Sequence, residues 1–141
     1  MQSEVLYFIS RQHCAALTVK LSDSALYPAV LHVAHKDDPF RLFFLTDRKS
    51  TKVNCLPKEK SVCAAVVLGF SEKEFTTLQM TGCIKEVAKD ELEEARMLYL
   101  LKFPQKKPFI KKKSKVLIEF IPSWWKYTDY ATTPKTIFSS S

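Results

Sequence analysis

The segment RLFFLTDRKSTKVNCLPKEKSVCAAVV, residues 41–67, contains the sequence pattern that decides the fold. It begins with an aromatic run, Arg41–Thr46, that has the composition of a β-strand. A polar connection from Asp47 to Leu56 follows and is expected to end in a short helix before Pro57. The run Ser61–Leu68 is almost wholly apolar, so we expect a strand that is buried on both faces.

The elements on either side of this segment are also mainly strands. We expect helices at Ser3–Gln12 and Lys89–Lys102, and strands at Ala15–Leu21, Tyr27–His35, Phe75–Val87, Val116–Ile121 and around Trp124–Tyr130. Gly82 is expected to bend or bulge the long strand that contains it. Six or seven short strands with turn signals between them predict a mainly β sandwich or barrel with short helices. A single domain over residues 1–138 is expected, followed by a disordered tail at 139–141.

Length, composition and charge exclude several classes of protein. The chain has 141 residues, as expected for one domain. Its two glycines, Gly69 and Gly82, cannot form a P-loop or a dinucleotide-binding fingerprint. The four cysteines lack C-x-x-C spacing, so no metal site is expected. The N-terminus lacks the apolar core of a signal peptide, and no apolar run reaches membrane-spanning length. We therefore expect a cytoplasmic protein with no membrane partner.

A short basic loop supplies candidate phosphate ligands. Arg48, Ser50, Thr51 and Lys52 lie within five residues and combine a guanidinium, two hydroxyls and an ammonium group. These groups suit a phosphate that has to be held by side chains instead of a glycine-rich loop. A solvated basic loop without a ligand remains the alternative interpretation.

The order of these residues resembles the split-barrel flavoproteins related to pyridoxamine 5'-phosphate oxidase. Thr46, Arg48, Ser50 and Lys52 match that family's strand-and-loop pattern. The strand with Pro28, the run 78–82 (LQMTG) and the acidic helix that follows it match the order of the family's other elements. The group within the family that the chain resembles most consists of small uncharacterised bacterial proteins, which share Lys102-Phe103-Pro104 and Tyr127-Thr128-Asp129. The resemblance implies a six- or seven-stranded antiparallel split β-barrel that binds flavin mononucleotide (FMN).

The resemblance also implies where the cofactor would bind. Arg48, Ser50, Thr51 and Lys52, with Thr46 beside them, would hold the phosphate. The flavin ring would lie against Pro28–His32, near Ala29, Val30, Leu31 and His32. The family completes this pocket from a second subunit, for which Gln79 and Trp124 or Trp125 are the candidates. A homodimeric, FMN-dependent oxidoreductase that acts on an unidentified small substrate is the resulting expectation.

Two other functions remain open from the sequence. The same barrel could hold flavin or haem without catalysis, with His32 as the candidate axial ligand of haem. Six lysines lie between Lys106 and Lys115, with Phe109 among them. Such a basic run could bind single-stranded nucleic acid, serve as a lid that attracts an anionic substrate, or simply be solvated. Nucleic acid is the less favoured of these partners, because one patch does not form a continuous basic and aromatic stripe.

Overall fold

A computed structural model describes residues 1–54, Leu56 and 60–140. Within these residues, three helices and eight strands follow one another, with a short 3-10 turn at Pro104–Lys106. The helices are α1 (Ser3–Arg11), α2 (Thr51–Asn54) and α3 (Leu92–Lys102). The strands are β1 (Cys14–Lys20), β2 (Leu26–His32), β3 (Ala34–Lys36), β4 (Arg41–Asp47), β5 (Val62–Leu68), β6 (Thr76–Glu86), β7 (Lys115–Asp129) and β8 (Thr136–Ser139).

One curled antiparallel sheet contains all eight strands. Seven of them lie in the order β2-β1-β5-β6-β7-β4-β3, and β8 pairs with the far end of β7. The predicted mainly β, split-barrel architecture with three short helices is confirmed. The predicted bulge at Gly82 is also confirmed, because the register between β6 and β7 shifts between Thr81 and Gly82.

Two apolar cores lie on opposite sides of the sheet. The larger fills its concave side and includes Leu17, Val66, Leu78 and Phe120, all fully buried. The smaller lies between the other side of the sheet and α3 and is formed by the set Ala34, Phe43, Val87, Ala95, Tyr99, Phe103, Ile110 and Leu117. The second core fixes α3 against the sheet, and the Lys36–Glu94 ion pair (3.1 Å) adds a link from β3.

Three sequence-based boundaries differ from the structure. The run Tyr27–His35 is divided into β2 and β3, because Val33 leaves the ladder and its N–H donates to the His13 carbonyl (3.0 Å). The two strands expected after residue 115 are one strand, β7, that continues through Pro122. The expected tail from Ser139 also differs: Ser139 ends β8, and the Ser140 N–H donates to the Trp125 carbonyl (3.0 Å). Ser141 lies outside the described residues.

One expectation of burial was wrong. In β5 only Ala64, Val66 and Leu68 are buried, whereas Cys63 and Val67 lie on the exposed face. The strand therefore has one buried face, not two.

The face of the sheet that points away from the larger core is called the outer face here. In β1, β2, β5 and β6, residues directly opposite one another place Ala16, Val30, Val67 and Gln79 in one row across it. Ala65 and Thr81 form a neighbouring pair on this face. The outer face is mostly small and apolar. On this side of the sheet α3 packs over β3, β4 and the start of β7, whereas Val30 and Val67 remain exposed.

No helix within the described ranges is both long enough and apolar enough to cross a membrane. The predicted cytoplasmic location stays a prediction.

The Gly82→Ala substitution should destabilise the fold. An added Cβ would lie 2.1 Å from the backbone oxygen of Ile121, so β6 and β7 would have to separate at the bulge. We expect a loss of about 2–3 kcal/mol in the free energy of unfolding, measured by urea denaturation. The neighbouring Thr81→Ala change, on an exposed residue of the same strand, should cost less than about 1 kcal/mol. Equal losses in the two variants would contradict this role of Gly82.

Candidate cofactor pocket

A cleft of about 350 Å³ lies between β2, β4, α3 and the segment that follows α3. Its volume falls within the range of about 300–1,000 Å³ that small-molecule sites occupy. The cleft is lined by Cys14, Val30, Leu31, His32, Leu45, Tyr99, Lys106, Phe109 and Lys115. The walls combine aliphatic and aromatic side chains with the polar groups of His32, Tyr99, Lys106 and Lys115.

Strand β2 contributes the residues that the sequence predicted for the flavin ring. Val30, Leu31 and His32 all line the cleft. Val30 is 66% exposed, so it offers an open apolar surface. The ring of His32 stacks on Phe103, with centroids 4.9 Å apart and planes 18° from parallel. Ala29 is opposite Leu17 of β1 and does not line this cleft, so the structure brings together three of the four predicted residues.

Tyr99 and two lysines provide the polar groups of the cleft. Burial raises the pKa of Tyr99 to about 12, so its phenol stays protonated at neutral pH and can donate a hydrogen bond. Lys106 and Lys115 line the same cleft. The ammonium group of Lys115 also pairs with Asp47 at 2.7 Å, and this hydrogen bond lowers the pKa of the Asp47 carboxyl.

The basic loop borders a second cleft of about 580 Å³ on the other side of this ion pair. It is lined by Asp47, Arg48, Lys49, Ser50, Lys113 and Ser114. Lys115 lines the first cleft and Asp47 lines the second, so the pair joins the two. The first cleft contains the aliphatic and aromatic side chains, and the second is lined by Arg48, Lys49 and Lys113.

The Arg48 side chain is occupied by contacts within the protein. Its Nε donates to the Lys113 carbonyl (3.1 Å), and its Nη2 donates to Glu86 (3.1 Å). The backbone N–H of Arg48 also donates to the Ser114 carbonyl. Arg48 therefore fastens the loop to the basic segment, and it also lines the second cleft.

The other candidate phosphate ligands of the basic loop differ in how far their side chains are exposed. Thr46 and Lys52 are each only 7% exposed, and the Thr46 and Ser50 hydroxyl oxygens are 3.5 Å apart. Burial lowers the pKa of Lys52, although the Asp47 carboxylate acts in the opposite direction. Thr51 begins α2 and is exposed. The loop thus presents Ser50 to the second cleft, while Thr46 and Lys52 support it from behind.

The candidates for a contribution from a second subunit lie on different faces. Gln79 is exposed on the outer face, opposite Val67. Trp124 is opposite Thr81 and 39% exposed, whereas Trp125 is opposite Met80 and packs against the larger core. Among the described residues, none of these three side chains lines the cleft within a single chain. The structure therefore favours Trp124 over Trp125 as an accessible aromatic group.

Sequence reasoning did not find several residues of the cleft. Cys14, Leu45, Tyr99 and Phe109 were not assigned to it, and Lys106 and Lys115 were recognised only as part of a basic run. These residues come together because the chain turns back after α3 and places Lys106 and Phe109 beside β2 and β4. Local sequence patterns do not specify such a return.

Known proteins share this fold at low sequence identity. No family model matches the chain, and no curated protein matches its sequence. A pyridoxamine 5'-phosphate oxidase-related, FMN-binding protein from Nostoc punctiforme is 12% identical, with a TM-score of 0.71 over 97% of this chain and 88% of that one. General Stress Protein 26 from Bacillus anthracis is 20% identical, with a TM-score of 0.65 over 88% and 90% of the two chains. The fold is therefore that of the pyridoxamine 5'-phosphate oxidase-like split barrels, as the sequence resemblance predicted.

A heme-binding protein from Mycobacterium smegmatis is also similar, at 11% identity and a TM-score of 0.71 over 92% of this chain. The chain spans about half the length of that protein (53%) and 57% of a protein of unknown function from Agrobacterium tumefaciens. Structures of this fold thus include both FMN-binding and heme-binding proteins.

Lys102, the last residue of α3, should make the free energy of unfolding depend on pH. Its Nζ donates to the carbonyls of Ile9 and Gln12 at the end of α1, and burial lowers its pKa to about 8 from 10.5. Between these two pH values the unfolded chain binds more protons than the folded chain, so the free energy of unfolding should rise with pH. Urea denaturation across this window should show that the rise is smaller in Lys102→Gln than in the wild type. The exposed Lys89→Gln variant should keep the wild-type slope, and the same slope in all three proteins would contradict the assignment.

Proposed function

We propose that this chain binds FMN along the two joined clefts and serves as a flavin-dependent oxidoreductase for a small substrate. The observation that carries the proposal is a cleft with aliphatic and aromatic side chains on β2 that is linked through the Asp47–Lys115 pair to a second cleft lined by Arg48, Lys49 and Lys113. FMN has the same division, with a planar ring system at one end and a phosphate at the other.

The flavin ring would occupy the cleft on β2. Val30 and Leu45 offer apolar surfaces, and Phe109 adds an aromatic one. The protonated phenol of Tyr99 and the ammonium of Lys106 are the groups that could donate hydrogen bonds to the polar edge of the ring. Tyr99 lies on α3 and Lys106 on the segment after it, which supports an orientation in which the polar edge of the ring faces this side of the cleft.

The phosphate would occupy the cleft at the basic loop. A phosphomonoester carries about −1.5 to −2 charges near neutral pH. Lys49 and Lys113 offer positive charge there, and the Ser50 hydroxyl can donate a hydrogen bond. Arg48 would act indirectly, by keeping the loop and Lys113 together through its hydrogen bond to the Lys113 carbonyl.

The bound flavin would supply the electron transfer, and the residues of the chain would bind and orient the reactants. His32 stands at the mouth of the cleft with its ring held by Phe103, so it is the residue best placed to contact a substrate. The lysines at the edges favour an anionic substrate by electrostatic attraction. The identity of the substrate and of the electron donor does not follow from these groups.

We further propose that the outer face pairs with the same face of a second copy, which would complete the site. Val30, Val67 and Trp124 are large apolar residues with exposed fractions of 66%, 36% and 39%. Exposed apolar surface of this kind is typical of interaction sites. Gln79 and Trp124 lie on this face, so a partner could contribute them to the cleft next to Val30.

Flavin binding can be tested with the purified protein and two flavins that differ only in the phosphate. We expect a retained flavin absorbance spectrum after desalting, and tighter binding of FMN than of riboflavin in a fluorescence titration. The Lys49→Gln/Lys113→Gln variant should bind FMN at least about tenfold more weakly, because it removes the two ammonium groups assigned to the phosphate and hydrogen bonds to charged groups contribute about 1.5–3 kcal/mol. The Lys73→Gln/Lys89→Gln variant removes the same charge elsewhere and should bind like the wild type.

Three results would contradict FMN binding as proposed: no retained flavin, equal affinity for the two flavins, or equal losses in both double variants. Haem is the second candidate, supported by the position of His32 in the cleft and by the heme-binding neighbour. A Soret band that appears on addition of haem and shifts in His32→Ala, in a protein that does not retain flavin, would favour this candidate.

The dimer should depend on Val67. The Val67→Asp variant places a charge at the centre of the outer face, so we expect a monomer by sedimentation velocity and weaker FMN retention. The Leu101→Asp variant introduces the same charge on an exposed residue of α3 and should leave both properties unchanged. A wild-type protein that is monomeric at all concentrations tested would rule out this arrangement.

A further inference from the structure

Two cysteines lie directly opposite each other on neighbouring strands of the outer face. Cys63 of β5 pairs in register with Cys83 of β6, and the two strands are antiparallel. Both residues are free thiols. Cys63 is exposed, and Cys83 is partly exposed. This pair has no role in the proposed cofactor pocket, and it does not line either cleft.

The register brings the two residues into the range in which a disulfide can form. Directly opposite residues of an antiparallel pair have Cα atoms about 4.5–5.5 Å apart, and disulfides span Cα separations of about 4.4–6.8 Å. Their side chains also point to the same face of the sheet. The Cβ atoms of opposite residues are about 4.5–5.5 Å apart, slightly more than the 3.5–4.5 Å of a disulfide. A small approach of the two strands is therefore required.

The surroundings of the pair allow this approach. Ala64, opposite Gly82, and Ala65, opposite Thr81, follow Cys63 along β5, so small residues lie beside the cysteines. On the other side of β6, the ladder with β7 is interrupted by the β-bulge between Thr81 and Gly82, next to Cys83. This irregular pairing leaves β6 freer to shift towards β5 at Cys83.

We propose that Cys63 and Cys83 form a reversible disulfide when the protein meets a hydroperoxide. The exposed Cys63 thiolate attacks the peroxide oxygen, which gives a sulfenic acid and releases an alcohol, or water from hydrogen peroxide. The Cys83 thiolate then attacks the sulfenic sulfur, the S–S bond forms, and water leaves. Two thiols lose two electrons and two protons in total, and the peroxide accepts them.

The strain and the exposure of this disulfide determine how easily it is reduced. A disulfide that needs the strands to approach is strained, and strained or exposed disulfides are more easily reduced than structural ones. The bond would lie on the same face as Ala65 and Val67. The site is therefore suited to reversible oxidation at a surface, and its chemistry does not require that the chain bind flavin.

Peptide mapping can detect this bond without ambiguity. Trypsin cleaves after Lys60, Lys73 and Lys85, so Cys63 and Cys83 fall in separate peptides, 61–73 and 74–85. After brief treatment of the folded, full-length protein with hydrogen peroxide, we expect these two peptides to be joined in a nonreducing digest. Two of the four thiols of the chain should be lost, and dithiothreitol should restore them.

Variants and an unfolded control make the inference falsifiable. Cys63→Ser and Cys83→Ser should each abolish the joined peptide, whereas Cys14→Ser should leave it unchanged. Urea-unfolded protein should form it at least about tenfold more slowly, because the register then no longer holds the two thiols together. Peptides joined mainly through Cys14 or Cys55, linkage between two copies of the chain, equal rates in folded and unfolded protein, or failure to form the bond would each overturn the proposal.

Discussion

The pairing of β7 with three other strands is the constraint on which the rest of the structure depends. Residues 115–120 of β7 pair with β4, residues 118–129 pair with β6, and residues 126–129 pair with β8. A strand hydrogen-bonded in this way fixes the register of its neighbours, since a shift by one residue would exchange their buried and exposed faces. The bulge at Gly82 accommodates Pro122 of β7 in this ladder, because the backbones approach closely enough that a Cβ on residue 82 would meet the Ile121 oxygen.

The smaller core holds α3 against one side of that sheet, and α3 forms one wall of the cleft. Phe43 of β4 and Leu117 of β7 supply apolar groups on the side of the sheet that faces α3, where Tyr99 and Phe103 pack. Because α3 is held there, the chain that leaves it passes beside β2 and β4 and brings Lys106 and Phe109 to the cleft. The cleft therefore results from packing between elements that are far apart in the sequence.

The sequence predicted those features that depend on local chemistry. The aromatic run Arg41–Thr46 and the bulge at Gly82 both lie where periodicity and glycine content placed them. The partners of Arg48, Glu86 and the Lys113 carbonyl, are distant in sequence, so the loop pattern that made Arg48 a candidate phosphate ligand could not show these contacts. The sequence left both Trp124 and Trp125 open as candidates, because an isolated strand pattern does not show that the bulge turns Trp124 outward and Trp125 towards the larger core.

The two ends of the sheet differ in a way that bears on behaviour at high concentration. The β3 end is a strand of three residues, Ala34–Lys36, whereas the β2 end, Leu26–His32, is longer and carries the exposed side chains of Leu26 and Val30. An edge of that kind invites growth by strand addition, which leads to amyloid-like aggregates. Pro28, within β2, has no backbone N–H and so removes one donor from this strand. Pro28 thus makes β2 a poorer template for strand addition than its length and exposed apolar side chains alone would indicate.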